Sequence, residues 1–317
     1  MPMSTTVKVP FSEPSEYSET PVFEDPTSED EIAKYDTVLK HFQDPELKLA
    51  IREKKCPPEE FEVLIPEEKS WITKECILRY IRATNWNVVE CIKRLENSLV
   101  WRREFGIAGG KFQKLFPEDI AAENETGKQL VFGYDKGSRP CLILANGKQN
   151  TKASYKQIQN LIFYLERAID FMPQGQDKLA LCVDFKSYPE VAMKGFNMPS
   201  VTVGKEVLHV LQYHYPERLG RALFINIPWY AWPFLKICYP FVDPYTKQKV
   251  AFDKPFSDYI PLQQLAKNYG GEVDFEYDYE AYWPAFIETA AGKRKSYMKR
   301  FEELGATVGL SEYDLRA

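Results

Sequence analysis

Two apolar runs, residues 179–185 (LALCVDF) and 222–227 (ALFINI), stand either side of a helical stretch, residues 202–215 (TVGKEVLHVLQYHY). Strand, helix and strand in that order cannot close as a hairpin. The two strands must lie parallel, joined by a crossover of fixed hand. Upstream, residues 129–135 (QLVFGYD) and 139–145 (RPCLILA) flank Lys136-Gly137-Ser138 and read as a β-hairpin. An amphipathic helix over residues 154–172 follows. A short strand at residues 249–252 (KVAF), a helix over 261–269 stopped by Gly270 and Gly271, and a helical tail over about 279–303 complete the pattern. The class is α/β, with a mixed sheet flanked by helices.

The first third has a different rhythm. Residues 70–84 (SWITKECILRYIRAT) place Trp71, Ile72, Cys76, Ile77, Tyr80 and Ile81 at three- and four-residue intervals, which predicts one helix. Residues 87–106 continue the pattern, with Asn87 as N-cap and Gly106 as the stop. Residues 53–69, with Pro57, Pro58 and Pro66, read as a loop. Residues 1–30 hold five prolines among Ser, Thr, Glu and Asp, too little apolar area to offset ordering entropy, and read as a flexible tail. The expected organisation is therefore a tail (1–30), a helical module (31–110), an α/β domain (111–275) and a helical extension (276–317).

Composition narrows the function. A net charge of −5 argues against a nucleic-acid binder, which needs a concentrated basic face. The six cysteines are scattered without a C-x-x-C pair, and Cys91, Cys141, Cys182 and Cys238 lie in apolar segments as buried thiols. With no apolar N-terminal leader and no membrane-spanning run, the expectation is a cytoplasmic protein with a silent sequon at Asn124-Glu125-Thr126. No glycine-rich phosphate loop or nucleophile elbow occurs. His41, His209 and His214 are too scattered to make a metal set, and none is expected. Asp184, near the end of a strand, reads either as a general base or as the cap of the next turn. No residue stands out as catalytic. The basic cluster Lys293, Arg294, Lys295, Lys299 and Arg300 reads as a solvated helix face or an aid to docking on anionic lipid.

Two features stay open. Residues 226–241 (NIPWYAWPFLKICYPF) hold six aromatic residues, three prolines and one charge. This is either a core helix or a wall that meets something greasy. Around it, YPERLGR (215–221) and DPYTKQKV (243–250) set Glu217, Thr246 and Lys249 beside strongly apolar sequence. Those residue types suit a sugar-phosphate head; a surface ion pair and a turn-capping threonine suit them too.

The motifs ILRYIRATNWNVVECIKRLENSLVWRREFG, YPERLG with FINIPW, and PFVDPYTKQKV together resemble the CRAL-TRIO lipid-binding family, over about residues 65–275. The likeness is greatest to fungal phosphatidylinositol-transfer proteins of the drug-resistance and sterol-homeostasis branch, and extends through YWPAFIETA and GLSEYDLRA. The resemblance implies a sheet-floored apolar cavity under a gating helix, with a bound lipid in place of a cofactor. It assigns the phosphatidylinositol headgroup to Glu217, Thr246 and Lys249, the cavity lining to Leu142, Leu179, Leu181 and Phe224, and the gate to Trp229, Tyr230, Trp232, Phe234, Leu235 and Cys238. It implies lipid exchange at transient membrane contacts at endoplasmic reticulum, lipid droplets or plasma membrane. Presentation of lipid to a phosphoinositide kinase or lipase is the alternative; a lipid-modifying enzyme would need a nucleophile or metal that the sequence does not display. Two departures matter. Thr84 stands where the family motif has arginine. Leu142, Leu179 and Leu181 stand where relatives that also carry phosphatidylcholine have polar side chains, which makes a sterol the expected second ligand.

Overall fold

A computed structural model describes residues 6–21, 25, 26, 28–54, 56–193, 201–241 and 244–317. The chain divides into two compact units: Met1–Pro21, Pro117–His209 and Arg218–Lys293 form one, and Val22–Phe116, Val210–Glu217 and Arg294–Ala317 form the other.

In the second of these, Ser28 accepts from the Glu31 N–H and starts helix α1 (Glu29–Gln43). A short antiparallel pair follows, β1 (Lys48–Ala50) with β2 (Phe61–Val63). Next come α2 (Pro66–Trp71), α3 (Lys74–Ala83) and α4 (Val88–Phe105). The single helix expected over residues 70–84 is interrupted at Ile72 and Thr73. Thr73 turns its hydroxyl onto the Cys76 N–H and caps a fresh helix, which leaves the apolar spacing intact but resets the axis. Asn87 and Gly106 cap α4 as expected, Gly106 at φ +89°.

The segment expected to be a loop at 53–69 instead contains β2 and α2, because a buried arginine organises it. The Arg103 guanidinium pairs with both Glu68 oxygens, Nε at 2.6 Å and Nη2 at 2.9 Å. It also donates to the carbonyls of Leu49 at 2.7 Å and Val63 at 3.2 Å, on the two strands. Removing one partner of such a pair costs about 3–5 kcal/mol, since the other charge is left buried.

The C-terminal segment closes the same unit. The Glu312 carboxylate accepts from Arg79 and Arg316, and its backbone N–H and the Ser311 hydroxyl donate to Glu75. His214 also belongs to this core: its ring stacks on Trp101 at 4.1 Å and its Nδ1 lies 3.0 Å from the Ser98 hydroxyl.

The other unit carries a five-stranded sheet in the order β3 (Gln129–Tyr134), β4 (Pro140–Gly147), β5 (Leu179–Ser187), β6 (Leu219–Ile225), β7 (Val250–Phe252). The β3–β4 hairpin is antiparallel and the remaining pairs are parallel, the mixed sheet expected from the sequence. The connections contain α5 (Tyr155–Asp170), α6 (Val201–His214), and α7 (Ala231–Cys238) with α8 (Pro244–Lys247). Helix α9 (Tyr279–Glu303) follows.

Edge strand β3 is covered rather than left open. The Tyr282 hydroxyl donates to the Val131 carbonyl at 2.8 Å and accepts from its N–H at 2.9 Å. Residues 6–21 are not a free tail. Val7 bridges to Phe275, the Phe11 ring lies 5.1 Å from that of Phe132, and the Tyr134 hydroxyl and Gln264 amide donate to the carbonyls of Ser12 and Glu13. Val7 and Phe11 give this proline-rich stretch enough apolar area to be held.

The helix expected over 261–269 is instead two 3₁₀ turns, Leu262–Gln264 and Lys267–Tyr269. Leu265 and Ala266 between them are extended and buried, and Ala266 bridges to Val273. Four of the five basic residues of α9 have partners: Lys293 pairs with Glu13, Arg294 donates to the Ser70 hydroxyl, and Lys299 and Arg300 pair with Glu303.

Burial, and then the nearby Glu312 charge, raises the Glu75 carboxyl above its ordinary value of 4.5. A carboxyl bound more tightly to its proton in the folded state favours folding below the unfolded pKa, and that contribution fades as pH rises through the folded value. Urea midpoints of wild type and Glu75→Gln measured from about pH 4 upward should therefore show wild type losing ground relative to the variant as pH rises.

Candidate functional site

The pairing of β4 to β7 places successive residues in rows across the sheet. Leu142, Leu181, Ala222 and Val250 form one row; Leu144, Val183, Phe224 and Phe252 form the next. Paired residues point to the same face, so both rows line one side of the sheet. Of the four expected lining residues, Leu142 and Leu179 are buried, while Leu181 and Phe224 are half-buried. No hydroxyl or charge interrupts either row.

Helix α7 packs on this same face. Ala231 is fully buried against Val183 and Phe185, with Leu144, Leu181, Phe224, Ile227 and Leu235 around them. The Trp232 ring lies 5.6 Å from that of Phe252, which in turn lies 5.3 Å from Phe224. Pro233 is in the first helical turn, where its missing N–H breaks no helical hydrogen bond.

The helix is shorter than the aromatic segment. Trp229 and Tyr230 stand ahead of it rather than within it: Trp229 is 83% exposed and Tyr230 is also exposed. Ile237 and Tyr239 are exposed at its far end. The side chains of Phe234 and Cys238 lie outside the described residues. One aspect of the segment thus packs on the sheet while several large apolar groups face outward.

The root of this segment is fixed by Asp184. Fully buried near the end of β5, its Oδ1 accepts from the Lys186 N–H at 2.8 Å and the Asn226 side-chain amide at 2.7 Å; Oδ2 lies 3.4 Å from the Tyr188 hydroxyl. Asn226 is the first residue after β6 and takes φ +55°, a conformation asparagine tolerates. Asp184 therefore caps a turn and holds Asn226, one of the two alternatives the sequence left open. Burial, then this carboxylate, pushes the Tyr188 hydroxyl up to about 12.

Glu217 is placed by a strained turn. It follows Pro216 in a left-handed conformation, φ +58°, which costs a non-glycine residue about 1–3 kcal/mol. Its Oε2 accepts from Arg82 Nε at 2.9 Å. Arg82 was not singled out in the sequence; the only signal for it is that a carboxylate among apolar residues needs a cation. Thr84, by contrast, is buried and donates its hydroxyl to the Tyr80 carbonyl at 3.0 Å.

In the sheet-bearing unit, Lys249 immediately precedes β7. Its Nζ donates to the Leu219 carbonyl at 2.7 Å, and its N–H to the Thr246 carbonyl at 3.0 Å. Thr246 lies in α8 and is half-buried.

Asn124 of the sequon is fully buried, donating to the Ile120 carbonyl and Asn160. Among the described residues no group of His, Cys, Asp and Glu could hold a metal, and no helix is long and apolar enough to cross a membrane.

The model of the CRAL/TRIO domain matches residues 124–271, and that of the CRAL/TRIO N-terminal domain matches residues 34–97. The chain is 43% identical to the phosphatidylinositol transfer protein PDR17 of Saccharomyces cerevisiae, over 98% of its own length and 89% of the relative's. The chain belongs to the CRAL/TRIO family. A CRAL-TRIO domain-containing protein of Schizosaccharomyces pombe is 48% identical over 80% of this chain, which spans 24% of that longer protein. The crystal structure of Sfh5 shares the CRAL/TRIO fold, with a TM-score of 0.52 at 16% identity, covering 81% of this chain and 92% of that one.

Removing the Asp184 carboxylate should loosen the aromatic segment. Asp184→Ala leaves the Lys186 N–H and the Asn226 amide without their acceptor, at about 1–3 kcal/mol for each unsatisfied group. The urea midpoint should fall, and limited proteolysis within residues 226–241 should quicken. Lost stability with unchanged cleavage there would confine Asp184 to the sheet.

Proposed function

We propose that the chain binds phosphatidylinositol and exchanges it between membranes. The observation that carries this reading is the two-sided segment around α7, apolar against the sheet and rich in exposed aromatic groups outside. The lipid is suggested by the 43% identity to a phosphatidylinositol transfer protein over nearly the whole chain. In this reading the rows containing Leu142, Leu181 and Phe224, with Leu179, meet acyl chains, and α7 with Trp229 and Tyr230 acts as the gate. Glu217, Thr246 and Lys249 receive the inositol phosphate. Lipid replaces any cofactor, and the protein breaks no bond.

The physical logic concerns the cost of opening. Exposing apolar surface to water costs about 25 cal/mol per Å², so lifting the buried Ala231 and the half-buried Trp232 and Leu235 off the sheet in solution is unfavourable. Against a bilayer the same face meets hydrocarbon and the cost falls away. Tryptophan and tyrosine suit the boundary between lipid and water. Exchange is then confined to moments of membrane contact, at the cytoplasmic face of endoplasmic reticulum, lipid droplets or plasma membrane. The leucine rows offer no hydroxyl to a zwitterionic head, which makes a sterol the second ligand rather than phosphatidylcholine.

Glu217→Ala combined with Lys249→Ala should lower phosphatidylinositol transfer between vesicles by at least about tenfold, with sterol binding and thermal unfolding preserved. Equal loss of both ligands would point to a damaged interior, and phosphatidylcholine moving as readily as phosphatidylinositol would dispose of the headgroup assignment. Separately, vesicles should shift tryptophan emission to the blue, and Trp229→Ala should remove most of that shift. Emission unchanged on adding vesicles would rule the segment out as the membrane contact.

A further inference from the structure

Strands β4, β5 and β6 run parallel, so the chain leaves all three at the same end of the sheet. Lys148 follows β4, Lys186 is the last residue but one of β5, and Asn226 follows β6. Gly147 pairs with Ser187, and a Cβ on Gly147 would lie 1.9 Å from the Lys186 carbonyl oxygen. Only glycine admits that approach, which brings the two lysines to one tyrosine. The Lys148 Nζ stands 5.1 Å from the centre of the Tyr188 ring, and the Lys186 Nζ stands 5.4 Å from it. Among the described residues neither ammonium makes a hydrogen bond or an ion pair.

A ring face is a weaker partner for an ammonium than a carboxylate. Asp184 spends its oxygens on the Lys186 N–H, the Asn226 amide and the Tyr188 hydroxyl. Lys148 is half-buried, and burial lowers its pKa from the ordinary 10.5. The charges of Asp184 and Glu190 oppose that shift, and the charge of Lys186 adds to it. A partly desolvated cation beside a like charge is the condition that an arriving anion relieves.

We propose that Lys148 and Lys186, held against Tyr188, form a docking point for the anionic headgroups of a membrane surface at the root of the aromatic segment. This rests on the reading that the segment meets a membrane. What adjoins the lysines identifies the occupant. Tyr188 reaches Asp184, Asp184 holds Asn226, and Trp229 is three residues on, at most about 11 Å of chain away. Trp229 and Tyr230 are exposed there. Point cations beside exposed indole and phenol rings match the border of an anionic bilayer, where lysines meet charged headgroups and the rings sit at the interface. The lysines thus give the segment a preference for charged over zwitterionic surfaces, which aromatic groups alone do not supply.

The test is sedimentation of the full chain with vesicles of phosphatidylcholine, alone or with a minority of phosphatidylserine, an anionic lipid distinct from the proposed cargo. Wild type should bind the charged vesicles more tightly, and added salt should erase the difference. Each lysine near the surface contributes about fivefold, so Lys148→Gln with Lys186→Gln should cut the preference by at least about tenfold. Binding to neutral vesicles should stay as in wild type. Lys295→Gln with Lys299→Gln removes the same charge from α9 and should leave the preference largely intact. Thermal unfolding checks each fold, and Lys186→Gln, at an exposed position, decides the matter if the first double variant does not fold. An equal fall in both double variants overturns the proposal, because net charge would then explain it. So does a folded Lys148 and Lys186 variant with the wild-type preference, or a wild type that binds both vesicles alike, which would turn the lysines toward an acidic protein surface; membrane contact by the segment then still stands. Wild type sedimenting with neither vesicle overturns membrane contact itself, and the docking point with it.

Discussion

The contact between Asp184 and Asn226 decides where the chain leaves the sheet. Strands β5 and β6 run side by side, and a fully buried carboxylate near the end of one holds the first residue beyond the other. A buried carboxylate must be hydrogen-bonded on every side, and Asp184 meets that demand with a backbone N–H, a side-chain amide and a tyrosine hydroxyl. Satisfying the charge therefore also fixes the left-handed turn at Asn226. From that turn residues 227–230 lead into α7, so one side-chain contact sets where the approach to the leucine and phenylalanine rows begins.

Each unit protects itself by the same principle, that buried polar groups must be paired. In the helical unit Arg103 gathers Glu68 and the carbonyls of two short strands that could not stand alone. In the sheet unit Lys128 and Glu123 form a buried ion pair, joined by Asn150 and Thr151. Gly133 shows how closely the edge strand is covered: a Cβ there would lie 2.2 Å from the Gln264 carbonyl oxygen. The Gln264 side chain meanwhile takes the Tyr134 N–H. An edge closed this way cannot recruit another strand.

Much of this was legible in the sequence, and the exceptions share a cause. The strands of the five-stranded sheet, α5, α6 and α9 are legible because their apolar periodicity is strong and local. The caps Asn87 and Gly106 were found because capping chemistry belongs to the residue itself. What escaped depends on partners distant in the chain. The break at Thr73 competes with an unbroken apolar stripe. The docking of residues 6–21 depends on Phe132 and Phe275, and the strand pair around residue 50 depends on Arg103. For the candidate site, the sheet-face residues follow from alternation, and the residues around Glu217 were marked by their motif. The partnership of Arg82 with Glu217 joins the end of α3 to a turn 135 residues later, a separation no local pattern spans.

The aromatic segment shows why burial alone is a poor guide to purpose. A core helix would turn its large rings inward, and Trp232 obeys that rule against Phe252. Trp229 breaks it at a cost, because an exposed indole forfeits stabilisation that burial would supply. Scattered exposed apolar residues are ordinary, but Trp229, Tyr230, Ile237 and Tyr239 fall within eleven consecutive positions that also include Ala231, fully buried on the sheet. The helix is anchored on the sheet by few residues, while its exposed surroundings hold Trp229, Tyr230, Ile237 and Tyr239 with one charge, Lys236. In water the sheet is the better partner, and against hydrocarbon both sides can be satisfied at once. In the proposed reading, the imbalance that leaves these groups exposed to water is what would let a membrane open the segment.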